Sequence, residues 1–353
     1  MKKIAFQITV FFLSMIVLSS CGSDDGNDLV ITTVTEDKEN IQSSVDLFLG
    51  CLENFENGDF STAVKNFFEV SNGEFMTAFG ENLIDQLDNF NIDTNNFNFN
   101  AHTGTYTWSS TTQSWNFITG TNEMVFFFPS EQNSSSNNLE VAITSYASQT
   151  VTFDNQDSLA PTSISGYAKE NGTTIFTVDL SNVTYETNDN FSFPSNFNLE
   201  IFMAPFTHTF NLSKNTNTQF DFSYDFQDNS GCITSLSSLI NLNTSDYQNI
   251  VGAADFQDAV GTIRHQDLEV RYSVEIDDIE AIEDPTVLQI NQLVDAEVYY
   301  NNAKIGDLEY NEDANGDDFV TIIYSDGTSD NVNIYVGNDF VDQLETIFTA
   351  FIN

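Results

Sequence analysis

From residue 101 onward, apolar side chains recur at every second position, in one short run after another. Tyr106 and Trp108 alternate with threonines, Trp115 and Phe117 follow, and Met124, Phe126 and Phe128 come next. Leu139, Val141 and Ile143 alternate with Glu140, Ala142 and Thr144. The spacing returns in Phe176, Val178 and Leu180, in Phe197, Leu199, Ile201 and Met203, and in Phe206, His208, Phe210 and Leu212. It ends in Phe220, Phe222, Tyr224 and Phe226. A period of two is the signature of a strand with one buried face. Polar turn clusters separate the runs at Thr119 to Asn122, Glu170 to Gly172, Thr187 to Asn190 and Lys214 to Asn217. The Asn171-Gly172 pair is a hairpin signal. Residues 101–227 are therefore expected to form an antiparallel meander, as a strongly curved sheet or a barrel. The chain carries 33 phenylalanines. They serve either as a filled β core or as the lining of a concave face that holds an acyl chain or another apolar ligand.

The period differs on either side of this block. Ile41, Val45, Phe48, Leu52 and Phe55 recur at helical spacing, and Asn57-Gly58-Asp59 reads as a stop and a new N-cap. Phe60, Val64, Phe67 and Phe68 mark a second helix, and Phe75, Phe79, Leu83 and Leu87 a third. Residues 36–90 are thus expected to be a helical cap. Asn89 to Asn100 reads as a linker or the start of a strand, and Gln227 to Asp246 as a polar break. Residues 246–353 mix elements. Leu268 to Ile276 alternate, Val298 and Tyr300 turn at Asn301-Asn302 toward Ile305, Leu308 and Tyr310, and Val320, Ile322 and Tyr324 are expected to pair with Val332, Ile334 and Val336. Phe340, Leu344, Ile347 and Phe351 predict a closing amphipathic helix. The expected class is α+β: N-terminal helices on a strongly curved, mainly antiparallel, open-barrel-like sheet, with a small α+β C-terminal part.

The N-terminus carries an address. Met1-Lys2-Lys3 precedes an apolar run from Ile4 to Leu18. That run is too short to span a bilayer, which takes roughly 20 residues, but suits a secretory signal. Leu18-Ser19-Ser20-Cys21 resembles the bacterial lipobox, and Ser23-Asp24-Asp25-Gly26-Asn27-Asp28 resembles the acidic export signal of Bacteroidota surface lipoproteins. The resemblance implies removal of residues 1–20, acylation of Cys21 (palmitate among the acyl groups) and a tether over 21–35. It further implies residence on the outer membrane, with the body exposed at the cell surface. Two or three acyl chains anchor stably, each buried methylene contributing ~0.8 kcal/mol.

Charge excludes one class of partner. The formal net charge is −44, from 53 acidic and 9 basic residues. Phosphate backbones are gripped by clustered Lys and Arg, so nucleic acid is not an expected partner. A charge of this size suits a saline habitat, where salt screens self-repulsion. With Cys21 assigned to lipid, Cys51 and Cys232 are left in an oxidising compartment, where they either pair or remain separate thiols.

No Walker or dinucleotide glycine loop, nucleophile elbow or histidine metal spacing occurs, and paired carboxylates cannot be singled out in so acidic a chain. His102, His208 and His265 are the histidines, and His208 falls on the apolar side of its run. Asn311 to Asp318 resembles the first half of an EF-hand calcium loop. Asn311, Asp313, Asn315 and Asp317 supply oxygens and Gly316 the turn, but Phe319 and Ile322 stand where later ligands belong. The competing reading is an Asx-rich hairpin turn. Asp157-Ser158-Leu159 resembles the short Bacteroidota O-glycosylation motif, with Ser158 placed in a loop before Pro161. A curved sheet wrapping helices resembles open-barrel carriers of the Lol type, an analogy of fold without a shared motif. The expected function is a non-catalytic envelope module that binds an apolar ligand or an envelope protein, without a cofactor unless calcium. The alternative is an envelope hydrolase acting on polysaccharide, with Trp108 and Trp115 as surface aromatics.

Overall fold

The structure is a computed structural model that describes residues 32–69, 98–131, 134–153, 156–188, 191–250 and 252–337. The signal segment, Cys21, most of the tether, the third helix expected over Phe75 to Leu87 and the closing helix expected over Phe340 to Phe351 lie outside the described residues.

Two long helices come first, α1 (Val34–Glu56) and α2 (Asp59–Glu69), then a single turn, α3 (Phe99–His102). The strands follow as β1 (Gly104–Ser109), β2 (Ser114–Ile118), β3 (Met124–Phe128), β4 (Leu139–Phe153), β5 (Gln156–Glu170), β6 (Thr173–Asn188), β7 (Phe191–Met203) and β8 (Phe206–Thr216). Then come β9 (Gln219–Gln227), β10 (Ile233–Leu242), β11 (Phe256–His265), β12 (Leu268–Glu275), α4 (Ile276–Glu280) and α5 (Val287–Leu293). The last are β13 (Val294–Tyr300), β14 (Ala303–Glu312), β15 (Asp318–Tyr324), β16 (Ser329–Asn331) and α6 (Asn333–Val336). The strands form one open sheet in the order β16 back to β3 in sequence, then β1 and β2. The fold is α+β, with helices ahead of a large, mainly antiparallel sheet. The meander has one exception: β1 lies between β2 and β3 and pairs with β3 in parallel, from Gly104 opposite Met124 to Thr107 opposite Phe127.

The chain divides into two compact units, unit 1 (Met1–Glu53 and Ser213–Asn353) and unit 2 (Asn54–Leu212). In unit 1, α1 opens on a capping box. Thr33 Oγ1 accepts from the Glu36 amide, while the Glu36 carboxylate accepts the Thr33 amide at 2.7 Å and the Thr33 hydroxyl at 2.8 Å. Those hydrogen bonds hold the Glu36 carboxyl below its usual range. The stripe Ile41, Val45 and Phe48 is buried, and Ile41 and Val45 join the core built by Leu236, Ile263, Leu268, Val270, Val274, Val298, Ile305 and Ile322. In unit 2, α2 begins where the backbone runs so close to the β7–β8 turn that a Cβ on Gly58 would lie 2.4 Å from the Ala204 carbonyl oxygen. Phe60 then stacks on Phe176 of β6 at 5.3 Å, and Ala63 is buried with Ile175 and Ala204.

The turns follow their residue chemistry. Asn171 and Gly172 form the two-residue loop between β5 and β6, both with positive φ, and Asn301 and Asn302 do the same between β13 and β14. Three expectations need correction. The expected polar break contains β10, whose Leu236 and Leu242 are buried while serines fill the alternate positions and hide the pattern. Ser158 sits within β5, half-buried opposite Val151, rather than in a loop. Pro161 stands in that strand opposite Ser148, beside the register shift between Ala147 and Ser148, and strand prolines occur next to such bulges. Of the three residues expected to pair with β15, Val332 does reach it, its amide donating to the Val320 carbonyl at 2.9 Å; the ladder itself is made by β16, and the Asn331 side chain accepts the Asn333 amide at 2.8 Å and turns the chain into α6, which takes Ile334 and Val336 out of the strand.

Candidate functional site

The pleat sorts side chains into rows that cross the strands, and the ladder register names each row. In unit 1, Tyr224, Leu236, Ile263, Val270 and Val298 stand side by side, followed by Phe226, Thr234, His265, Leu268 and Tyr300. This is the face that α1 covers. His265 is fully buried, its Nδ1 is 3.1 Å from the Thr234 hydroxyl, and its ring meets Phe48 edge-on at 5.5 Å. Burial lowers its pKa to about 4, so it is neutral at pH 7. Near it, Cys51 of α1 is bonded to Cys232, with 5.9 Å between their Cα atoms. Sequence alone left those two sulfurs undecided; both are buried.

Unit 2 carries the corresponding rows on β3 to β7. Val141, Ala168, Phe176 and Met203 form one, Met124, Ile143, Gly166, Val178 and Ile201 the next, and Tyr146, Ile164, Leu180 and Leu199 a third. Apart from Met124, these side chains are half-buried rather than buried. The lining differs from the expected phenylalanine wall. It is mainly aliphatic with Phe176 and Tyr146, while the register puts Phe202 in the other face's row with Ala142, Tyr167 and Thr177. Register shifts interrupt β4–β5, β5–β6 and β6–β7, around Thr144, Ala147, Lys169 and Thr184.

The opposite face of each unit is polar. In unit 1 it gathers both arginines of the chain. Glu269, itself buried, accepts from Arg271 and lies 3.7 Å from Arg264. The Arg271 guanidinium lies 3.9 Å over the Tyr299 ring. Lys304 bridges Glu297 at 2.5 Å and Asp307 at 2.7 Å, which raises its own pKa, while its hydrogen bond and that of Tyr299 lower that of Glu297. In unit 2, Tyr167 donates to Glu140 at 2.6 Å, which with burial raises its pKa to about 12, and Lys169 stands 3.6 Å from the same carboxylate. A further cluster at the rim of unit 1 was not anticipated. Tyr324 and Tyr335 share a 2.5 Å hydrogen bond in which one hydroxyl donates to the other, both oxygens lie within 3.1 Å of the Asp330 carboxylate, and Lys38 of α1 reaches Asp330 at 2.8 Å. Nothing in the spacing of four residues on four elements announces such a cluster.

The other predicted positions fall apart from these faces. Asn311, Asp313, Asn315 and Asp317 lie at the β14–β15 turn. The Asp313 carboxylate accepts the amides of Asn315 at 2.7 Å and Asp317 at 3.0 Å, and these bonds lower its pKa. Asn311 instead directs its amide to Thr321 Oγ1 at 3.0 Å and the Glu309 carbonyl. The turn is therefore closed by its own Asx bonds. Trp108 and Trp115 are 2 % and 4 % exposed and pack edge-to-face within an aromatic cluster with Tyr106, so they present no surface platform for a sugar. The expectation of surface tryptophans is corrected accordingly; each alternates with polar neighbours, and alternation does not say which face is wet. Glu275, Asp277 and Asp278 bring their carboxylate oxygens within 4.8 Å of one another at the end of β12. No family model, curated protein or solved structure matches this chain.

Proposed function

We propose that this chain is a lipid-anchored protein of the outer membrane, displayed at the cell surface, whose body is a non-catalytic binding module. Cys21 carries the acyl chains, and the residues after it form an acidic tether. The module takes an apolar ligand, an acyl chain or the apolar surface of an envelope protein, on the rows from Val141 to Leu199 in unit 2. The observation that supports this reading is the half-burial of those rows, against the buried rows that α1 covers in unit 1. Within unit 2 the sheet curves in an open-barrel-like manner around the ligand, because bulges bend strands and increase their twist, and β4 to β7 carry them.

Two measurements test the proposal. Cys21→Ser should move the protein out of the membrane fraction and remove the acyl mass from its N-terminal peptide; an unchanged fraction and mass defeat the anchor. Native mass spectrometry and lipid extraction of the purified protein should reveal a co-purifying apolar molecule, and Leu180→Glu should abolish its retention. A wild-type protein that neither carries nor takes up fatty acid, and binds no envelope protein through this face, defeats the binding module.

A further inference from the structure

The disulfide has a position in the chain that its local role as a clamp on α1 does not exhaust. Unit 2 is an insertion in sequence: the chain leaves unit 1 after Glu53 and returns to it at Ser213. Cys51 and Cys232 both belong to unit 1 and stand on either side of that insertion, 181 residues apart in sequence and 5.9 Å apart in space. We propose that the Cys51–Cys232 bond is a mechanical shunt. It carries tension from the N-terminal anchor across unit 1 and keeps the inserted unit 2 out of the path of force.

Pull applied at the N-terminus enters through α1, and its source in the cell rests on the anchor reading above. The first points to resist are the Lys38–Asp330 ion pair and then Ile41, Val45 and Phe48. These face the sheet one after another, so an end-on pull loads them singly, as in peeling. Peeling stops at Cys51, where the covalent bond passes the tension directly to Cys232 and on into β10. Nothing between the two cysteines is then stretched, because both ends of that segment are joined. Unit 2 meanwhile has its own buried clusters, around Tyr106, Trp108 and Trp115 and around Ala63, Ile175 and Ala204. Both sulfurs are buried, so a thiol reaches the bond only after α1 has been peeled away.

The test is force spectroscopy on the full chain held by its two ends. Without reductant, complete extension should stop short of the full contour length by about 600 Å, the reach of the bypassed segment at 3.3–3.6 Å per residue. A dithiol added at that point breaks the S–S bond, giving two cysteine thiols and the oxidised dithiol. The newly loaded segment should then hold and release in a discrete rupture, the unfolding of an intact unit 2. Immediate free extension on reduction would show that unit 2 had already come apart and would overturn the proposal, as would full contour length in the unreduced protein. The Cys51→Ala/Cys232→Ala chain should reach full length without reductant. Its failure to fold would leave the two-stage experiment on the unmodified chain decisive. The outcome does not depend on acylation of Cys21, so failure here and failure of the anchor are read separately.

Discussion

Both units turn a row-built apolar face to one side and a hydrogen-bonded polar face to the other, yet the two apolar faces differ. In unit 1 the rows through Ile263 and Val270 lie buried under α1. In unit 2 the rows through Ile143, Val178 and Leu180 are half-buried along their length. The residue types are much the same, so hydrophobicity along the strand does not decide whether a face becomes core. What decides it is how far a second element follows the rows: α1 lays Ile41, Val45 and Phe48 along those of unit 1, whereas among the described residues of unit 2 α2 meets the rows at Phe176 and Ala168 and α3 at Tyr146.

The sharpest challenge to that contrast is a matched pair of truncations. Ile263→Ala, at a position 1 % exposed, should cost about 2–5 kcal/mol, since it leaves a cavity that dense packing cannot close. Leu180→Ala should cost less than about 1.5 kcal/mol, as a half-buried side chain gives up only part of its transfer energy. Equal losses in denaturant titrations would erase the distinction between the faces. Next in size, removing the staple with Cys51→Ala/Cys232→Ala should lower stability by about 2–4 kcal/mol. Calorimetry should show that loss in the transition of unit 1. A loss confined to unit 2 would mean that the covered face does not need its clamp.

Acid sharpens the comparison further. His265 titrates near 6.5 when unfolded and about 4 when folded. The unfolded chain therefore takes the proton first, so stability falls as pH drops from about 6.5 toward 4, by roughly 3 kcal/mol in all, and levels off below. His265→Leu should flatten that slope in unit 1, while His208, lowered to about 4 by burial in unit 2, keeps its own. An unchanged slope would assign the acid response to other groups. The smallest effect expected is that of Tyr167→Phe, about 1 kcal/mol from one charge-assisted hydrogen bond on the polar face of unit 2. Urea midpoints for that variant and wild type check it.

Much of this architecture is legible in residue spacing. The α1 stripe, the strands whose alternation is clean and the Asn-Gly and Asn-Asn hairpins all rest on local chemistry, which a sequence displays. β10 escaped notice because Ser235, Ser237 and Ser238 dilute its apolar positions, and β5 because Pro161 reads as a breaker until its bulge is known. The β1–β3 pairing is parallel, a property of topology that strand periodicity does not encode. The polar face of unit 1 was hidden for a related reason. Arg264, Glu269, Arg271, Glu297, Tyr299 and Lys304 come from four strands and meet only through register. Alternation put Trp108 and Trp115 in strands but could not say that the register sets them opposite each other on a dry face.

The ion pairs carry a consequence for crowding. Lys38, Lys65, Lys169, Arg264, Arg271 and Lys304 each hold a carboxylate of their own chain. These cations are already paired within the same molecule, and the excess of acid is what neighbours meet. Copies brought side by side should keep their distance like bristles of one sign, closing up only as added electrolyte shrinks the field between them to about 8 Å at physiological strength and less in brine.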